Sequence, residues 1–79
     1  MSHEIRLRNI KASERLLDAA LAKVGSVKVW EFISAIKLNL GVREETAKSY
    51  WEDSIKHNQK YDQDGFSIWV RGKKPERMG

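Results

Sequence analysis

The 79-residue sequence predicts one α+β domain, in which three helices precede a C-terminal β-hairpin. Apolar residues recur at helical spacing through the first two thirds of the chain, and the period changes to two beyond Lys60. Glycines at positions 25 and 41 stand where two of the helical patterns stop, as expected for helix C-termini. A chain of this length leaves room for a single small domain.

The N-terminal residues 1–9 are interpreted as an arm or a short strand. Ile5 to Arg8 alternate between apolar and basic, as in a half-buried strand, whereas a free arm carrying Arg6 and Arg8 could contact phosphates or a minor groove. The first helix is expected to begin between residues 10 and 13, where Asn9 or Ser13 serves as the N-cap, and to end at Val24. The apolar stripe of this helix indicates a supporting role in the core.

The second and third helices are predicted to meet at Leu40-Gly41-Val42. A brief extended segment, Ser26 to Lys28, precedes the second helix and is expected to pair with the later hairpin. Gly41 ends the second helix because glycine tolerates a left-handed backbone, and Val42 plugs the space between the helices. Two short helices joined by a tight glycine-containing turn form a helix-turn-helix.

The third helix is predicted to run from Glu44 to about His57, with two distinct faces. Ala47, Tyr50, Trp51 and Ser54 form the inner face, and Glu45, Ser49, Glu52 and Lys56 lie opposite them. Glu45 and Glu52 are expected to pair with Lys48 or Lys56 at a spacing of three or four residues.

A β-hairpin is predicted from Lys60 to Arg71, with its tip at Gln63 to Gly65 because Asp-Gly is a strong turn signal. Phe66, Ile68 and Val70 would face the helices. Trp69 would then face solvent as a contact surface, unless the twisted ribbon buries both of its faces. The charged residues 72–79 predict a basic, flexible tail.

Composition excludes several classes of function. The chain has no cysteine, its two histidines stand alone, and no glycine-rich phosphate loop is present, so we expect neither an enzyme nor a metal or cofactor site. No apolar run reaches membrane-spanning length and no secretory signal is visible, which predicts a protein of the cytoplasm, or of the nucleus if the host has one, with no membrane partner. The net charge of +4 favours an anionic partner.

The order helix, strand, helix, turn, helix, hairpin resembles the winged helix-turn-helix family of DNA-binding transcriptional regulators. The resemblance covers about residues 13–71, within a domain placed at residues 10–71, and the compact form is similar to small archaeal, viral and plasmid regulators. The residues that carry it are Phe32-Ile33, Ile36, Leu40-Gly41-Val42, Thr46-Ala47, Tyr50, Asp64-Gly65-Phe66, Ile68 and Val70.

The resemblance implies that the third helix enters a DNA major groove and that the hairpin, as a wing, contacts the backbone or minor groove. The implied partner is double-stranded DNA. The protein would bind it as a monomer or as a homodimer, and the homodimer could also form on the DNA itself. The implied DNA-binding residues are Arg43, Lys48, Ser49, Glu52 and Lys56 on the helix, and Arg71, Lys73 and Lys74 on the wing side.

The third helix departs from the family pattern because it carries four acidic residues against three basic ones. Carboxylates repel phosphates, so the attraction for DNA is expected to come from the wing, the tail and the N-terminal arginines. The acidic helix and Trp69 favour an alternative, a winged-helix module that binds another protein. A third possibility is RNA binding, in which aromatic residues stack on unpaired bases.

Overall fold

The computed structural model describes residues 3–74, and these residues form the α+β fold that the sequence predicts. Three helices are followed by a small three-stranded antiparallel sheet, an arrangement compatible with a winged-helix layout. The elements are α1 (His3–Val24), β1 (Val27–Lys28), α2 (Val29–Leu40), α3 (Glu44–Asp53), a 3-10 helix (Ile55–His57), β2 (Tyr61–Gln63) and β3 (Ser67–Val70). Within residues 3–74, every helix is too short or too polar to cross a membrane.

Helix α1 begins much earlier than predicted, and the expected arm or strand at its start is wrong. Residues 3–9 are helical, because Arg6 shares one helix face with Ile10, Ser13 and Leu17 and contacts α3. Ser13 lies inside the helix and donates a hydrogen bond to the carbonyl of Asn9 at 2.8 Å, so neither residue is an N-cap. Four alternating residues therefore belonged to a longer helical pattern.

The turn between α2 and α3 confirms the predicted helix stop. Gly41 has φ 65° and ψ 33°, and its N–H donates to the carbonyl of Lys37 at 3.0 Å. Helix α3, however, ends at Asp53 rather than near His57. Ser54 leaves the helical region at φ −135°, and the chain continues as the 3-10 helix, so Lys56 lies beyond α3.

The sheet has the strand order β1-β3-β2, which confirms the predicted pairing of the extended segment with the hairpin. Val27 lies opposite Ile68, and Tyr61 lies opposite Val70. Residues 64–66 form the hairpin tip. The N–H of Val29 donates to the carbonyl of Phe66 at 2.8 Å, which places this tip beside the start of α2.

The core lies between the helices and one face of the sheet. Tyr50 and Trp51 are buried as predicted, and the Trp51 ring meets that of Phe32 edge-on at 6.1 Å. The prediction for the hairpin was partly wrong, because Phe66 is 80% exposed whereas Trp69 is only 4% exposed. The core cluster comprises Ile10, Leu17, Leu21, Phe32, Ile36, Ala47, Tyr50, Trp51, Ile55, Tyr61 and Ile68.

Trp69 is covered on the sheet face opposite Ile68. The chain turns back at Gly72, and the Lys74 ammonium lies 5.4 Å from the centre of the Trp69 ring. Both faces of the ribbon are thus covered at this point, so the exposed-Trp69 alternative is wrong. The predicted flexible tail lies outside the described residues from position 75 onwards.

Candidate nucleic-acid interface

Helix α3 presents a continuous polar surface to solvent. Glu45, Lys48 and Glu52 are all exposed and lie on one side of the helix at i, i+3 and i+7. We call these three residues the α3 stripe. On the opposite side of the helix, Ala47 and Tyr50 are buried in the core, so packing fixes the orientation of the stripe.

Helix α2 borders the first half of the α3 stripe. A surface cavity of about 360 Å³ lies along the junction of the two helices and is lined by Trp30, Ile33, Ser34, Glu44 and Lys48. The Glu44 carboxylate lies 3.4 Å from the Lys37 ammonium. Trp30 is 64% exposed, so this border combines an aromatic ring with the Lys48 side chain.

Helix α1 borders the other side of α3 through Arg6. The Arg6 guanidinium donates to the Ser49 hydroxyl oxygen at 3.0 Å and to the Asp53 carboxylate at 3.3 Å. It also lies 5.4 Å from the centre of the Tyr50 ring, whose hydroxyl accepts a hydrogen bond from the Asn9 amide at 3.1 Å. The sequence contains a signal for this contact, because Arg6 precedes the core residue Ile10 by four residues and so lies on the same face of α1.

Ser49 is placed differently from its predicted role. Its oxygen accepts the bond from Arg6, and its hydroxyl donates to Asp53 at 3.0 Å. The side chain is therefore engaged within the protein and does not project freely toward a ligand. Ser49 thus links Arg6 of α1 to Asp53 of its own helix, α3.

Neighbouring helices also change the charge balance of α3. Two of its four carboxylates form ion pairs with cations outside it, Glu44 with Lys37 and Asp53 with Arg6. Two unpaired carboxylates, Glu45 and Glu52, then remain on α3, against three exposed cations: Lys48 on the helix, Arg43 just before it and Lys56 just after it. The surface of this helix is thus less repulsive toward anions than its sequence indicates.

The two remaining carboxylates do not form the pairs expected within the helix. Among residues 3–74, no ion pair joins Glu45 or Glu52 to Lys48 or Lys56. Helix α3 ends before Lys56, which removes the predicted spacing between Glu52 and that lysine. That prediction was wrong, and Lys48 keeps its charge available at the surface.

Three basic residues after β3 lie in different surroundings. Arg71 lies at the hairpin base, which we define as Lys60, Tyr61, Val70 and Arg71, where its N–H donates to the Lys60 carbonyl at 3.0 Å. Lys73 is exposed, and Lys74 lies over Trp69. In the part of the chain that the structure describes, none of these three side chains forms a hydrogen bond or an ion pair with α3.

The hairpin base is joined to α1 through Asp18. The Asp18 carboxylate accepts hydrogen bonds from the Lys60 ammonium at 2.8 Å and from the Tyr61 hydroxyl. Partial burial raises the pKa of Asp18, but these two bonds and the Lys60 charge outweigh it, so the pKa lies below its ordinary value. Burial and the bond to Asp18 raise the pKa of the Tyr61 hydroxyl.

Comparisons with protein-family models, with curated proteins and with solved structures found no match to this chain. Among residues 3–74, no group of three or more His, Asp or Glu side chains is arranged to hold a metal ion.

Proposed function

We propose that the chain is a double-stranded DNA-binding transcriptional regulator whose α3 stripe enters a major groove. The observation that carries this proposal is the exposure of the stripe on a helix that is held from both sides, by α2 across the Gly41 turn and by Arg6 of α1. A rigid polar helix face is suited to contact base edges. DNA binding would associate the protein with the nucleoid.

The α3 residues divide into contacts that position the helix and contacts that select a sequence. Arg43 precedes the helix and Lys48 lies in its second turn, where both cations can neutralise phosphates or donate to guanine. Glu52 can accept from a cytosine amino group. Because Arg6 and Lys37 neutralise two other carboxylates, these contacts meet less repulsion from phosphates.

The hairpin contributes phosphate contacts through Arg71, Lys73 and Lys74 rather than through its tip. The tip carries Asp64, whose pKa is lowered by hydrogen bonds from the N–H groups of Phe66 and Ser67. A carboxylate that stays ionised repels phosphates. Backbone contact by the basic residues is therefore favoured over insertion of the tip into a minor groove.

Selection from a random duplex library, followed by fluorescence anisotropy at several salt concentrations, tests this proposal. We expect log K to fall linearly with log salt, and Lys48→Gln to reduce the slope by about one unit if Lys48 binds one phosphate. Lys23→Gln is the matched control, because Lys23 is an exposed lysine at the far end of α1. Equal losses from both variants, or no binding at low salt, would refute the proposal.

The selected sequences also report how many copies bind. A single unpaired site indicates a monomer, whereas two half-sites about 34 Å apart indicate a pair of copies related by two-fold symmetry.

A protein-interaction module is the second candidate, favoured by three large exposed apolar side chains. Trp30 is 64% exposed, Phe66 80% and Leu38 85%, and Trp30 and Leu38 lie on the same helix. Charge reversal of Lys73 and Lys74 separates the candidates, because loss of duplex binding in that variant supports the DNA-binding regulator. If duplex binding is absent in the wild type and a protein partner is lost on Trp30→Ala, the interaction module is supported instead.

A further inference from the structure

A second basic surface lies on the first helix. Arg8, Lys11 and Arg15 are exposed and share one side of α1 at i, i+3 and i+7, and we call them the α1 stripe. With Glu4 and Leu7 they line a shallow cavity of about 330 Å³. From Arg8 to Arg15 the helix rises about 10.5 Å, which spans about three phosphates along one strand of a duplex.

The cations of the α1 stripe, like Arg43, Lys48 and Lys56 beside and on α3, form no ion pair within residues 3–74. Arg6, Lys37 and Lys60 each form an ion pair with a carboxylate of another element. Among residues 3–74, no hydrogen bond, ion pair or ring contact engages the side chain of Arg8, Lys11 or Arg15. Three unpaired cations in a row attract an anion with repeated charges.

The α1 stripe and the α3 stripe face different directions. Helix α1 packs Ile10, Leu17 and Leu21 on the core, and α3 packs Ala47 and Tyr50 on the same core. Each stripe lies on the side of its helix away from that core, so the two stripes diverge. We therefore expect a straight duplex seated on the α3 stripe to leave the α1 stripe open to solvent.

We propose that the α1 stripe is a second surface for double-stranded DNA, which holds the phosphate backbone of a second duplex while α3 holds the first. This bridging of two duplexes rests on the proposed function, because α3 supplies the other contact. Because cations hold phosphates whatever the base sequence, we expect the stripe to bind the second duplex without sequence preference.

The composition of the stripe favours a duplex over other polyanions. Single-stranded nucleic acid is bound by aromatic side chains that stack on bases, and the α1 stripe and its cavity contain none. An anionic membrane is bound by a helix with a broad exposed apolar face, but the apolar face of α1 is buried in the core. Its exposed apolar residues, Ile5, Leu7 and Val24, lie on different sides of the helix and form no such face. Leu7 is the large apolar residue that lines the cavity.

The test mixes the full chain with two duplexes, one carrying a donor and the other an acceptor fluorophore. Energy transfer between them reports bridging, and anisotropy of a single labelled duplex reports the first contact. We expect the wild type to give energy transfer and Arg8→Gln/Lys11→Gln/Arg15→Gln to lose it, with single-duplex affinity kept within about twofold. All three side chains are exposed, so circular dichroism should be unchanged.

The matched control is Arg43→Gln/Lys48→Gln/Lys56→Gln, which removes the same number of exposed cations from the α3 side. We expect it to lower single-duplex affinity at least tenfold. Energy transfer that persists in the α1 variant overturns the inference, as does single-duplex binding by the wild type with no energy transfer. If instead the α1 variant alone loses single-duplex binding, the α1 surface is supported and the proposed role of α3 fails. No duplex binding at low salt overturns both.

Discussion

The two ends of the β-hairpin are attached to the helices by different kinds of bond. At the base, the Lys60 and Tyr61 side chains bond to Asp18 of α1. At the tip, the attachment to α2 is made by the main chain, from the N–H of Val29 to the carbonyl of Phe66. The base therefore depends on the identity of its side chains, whereas the tip depends on its backbone conformation.

The charges of the two ends differ as well. The base carries Lys60 and Arg71, and the tip carries Asp64 beside an exposed Phe66. The hairpin base is thus basic and bonded to α1 through side chains, whereas the tip is acidic and bonded to α2 through the main chain. Substitutions at the tip and at the base should therefore have separable effects on stability.

The largest effect is expected in the buried strand between the two ends. Ile68 is fully buried, so Ile68→Ala should lower the free energy of unfolding by about 2–5 kcal/mol, through lost burial and a cavity. Phe66→Ala, two residues away at the exposed tip, should change it by less than about 0.5 kcal/mol. Urea denaturation measures both variants.

The milder variant Ile68→Val keeps this test usable if Ile68→Ala does not fold, and it should cost about 0.5–1.5 kcal/mol. A Phe66→Ala loss as large as that of either Ile68 variant would show that the tip packs on the helices in solution, and the contrast between strand and tip would fail.

The second effect concerns the side-chain bonds of the base. Tyr61→Phe removes the hydroxyl donor to Asp18 and should cost about 1.5 kcal/mol, because a hydrogen bond to a charged acceptor is stronger than a neutral one. Lys60→Gln removes the other donor to the same carboxylate and should cost at most about 0.5 kcal/mol, since that ion pair is exposed. If thermal or urea unfolding instead shows a larger loss of stability for Lys60→Gln than for Tyr61→Phe, the hairpin base is attached chiefly by the Lys60–Asp18 ion pair.

Local sequence signals predicted the turns well, and contacts between distant elements account for what they missed. Gly41 and Asp64-Gly65 specify their turns through their own backbone preferences, which a sequence displays directly. Residues 1–9 were predicted as an arm or a short strand, because four alternating residues are too few to distinguish a strand from the first turn of a helix. The burial of Trp69 was missed because the chain reverses beyond Gly72 and brings Lys74 beside the Trp69 ring. No periodic pattern in the sequence signals that reversal.

The candidate site shows the same division. The exposure of Lys48 and Glu52 follows from the helical period of α3, so it was predictable. The engagement of Ser49 and the neutralisation of Asp53 depend on Arg6, which is 43 residues away from Ser49 in sequence. Pairings across such a distance require the packed arrangement of α1 on α3, and composition alone overstated the acidity of α3.

The third effect is a dependence of stability on pH at the base. Because the pKa of Asp18 is lower in the folded chain than its ordinary value of about 4, its bonds stabilise the fold above that pH. This stabilisation is lost as the pH falls through the lower, folded value. Its size should stay under about 1 kcal/mol, since the Asp18 side chain is 39% exposed and solvent screens the charge.

Urea unfolding of the wild type and of Asp18→Asn, between neutral and strongly acidic pH, measures the pH-dependent contribution of Asp18 to stability. The difference in unfolding free energy between the two should shrink as the pH falls below 4, and Lys60→Gln should give an intermediate dependence, because it removes one of the groups that lower the pKa. A constant difference across the whole range would mean that Asp18 titrates alike in the folded and unfolded chains.

The smallest effect is local to the tip. Asp64 accepts hydrogen bonds from the N–H groups of Phe66 and Ser67, both at 2.9 Å, and these bonds lower its pKa below the ordinary value. The amide resonances of Phe66 and Ser67 should therefore shift together in an acid titration followed by NMR, with a midpoint below that value. Asp64→Asn keeps an oxygen acceptor for the turn and should abolish the inflection without moving the unfolding midpoint. A midpoint at or above the ordinary value would mean that the two N–H groups are not held by the carboxylate, and the tip would then lack the backbone order that sets it apart from the base.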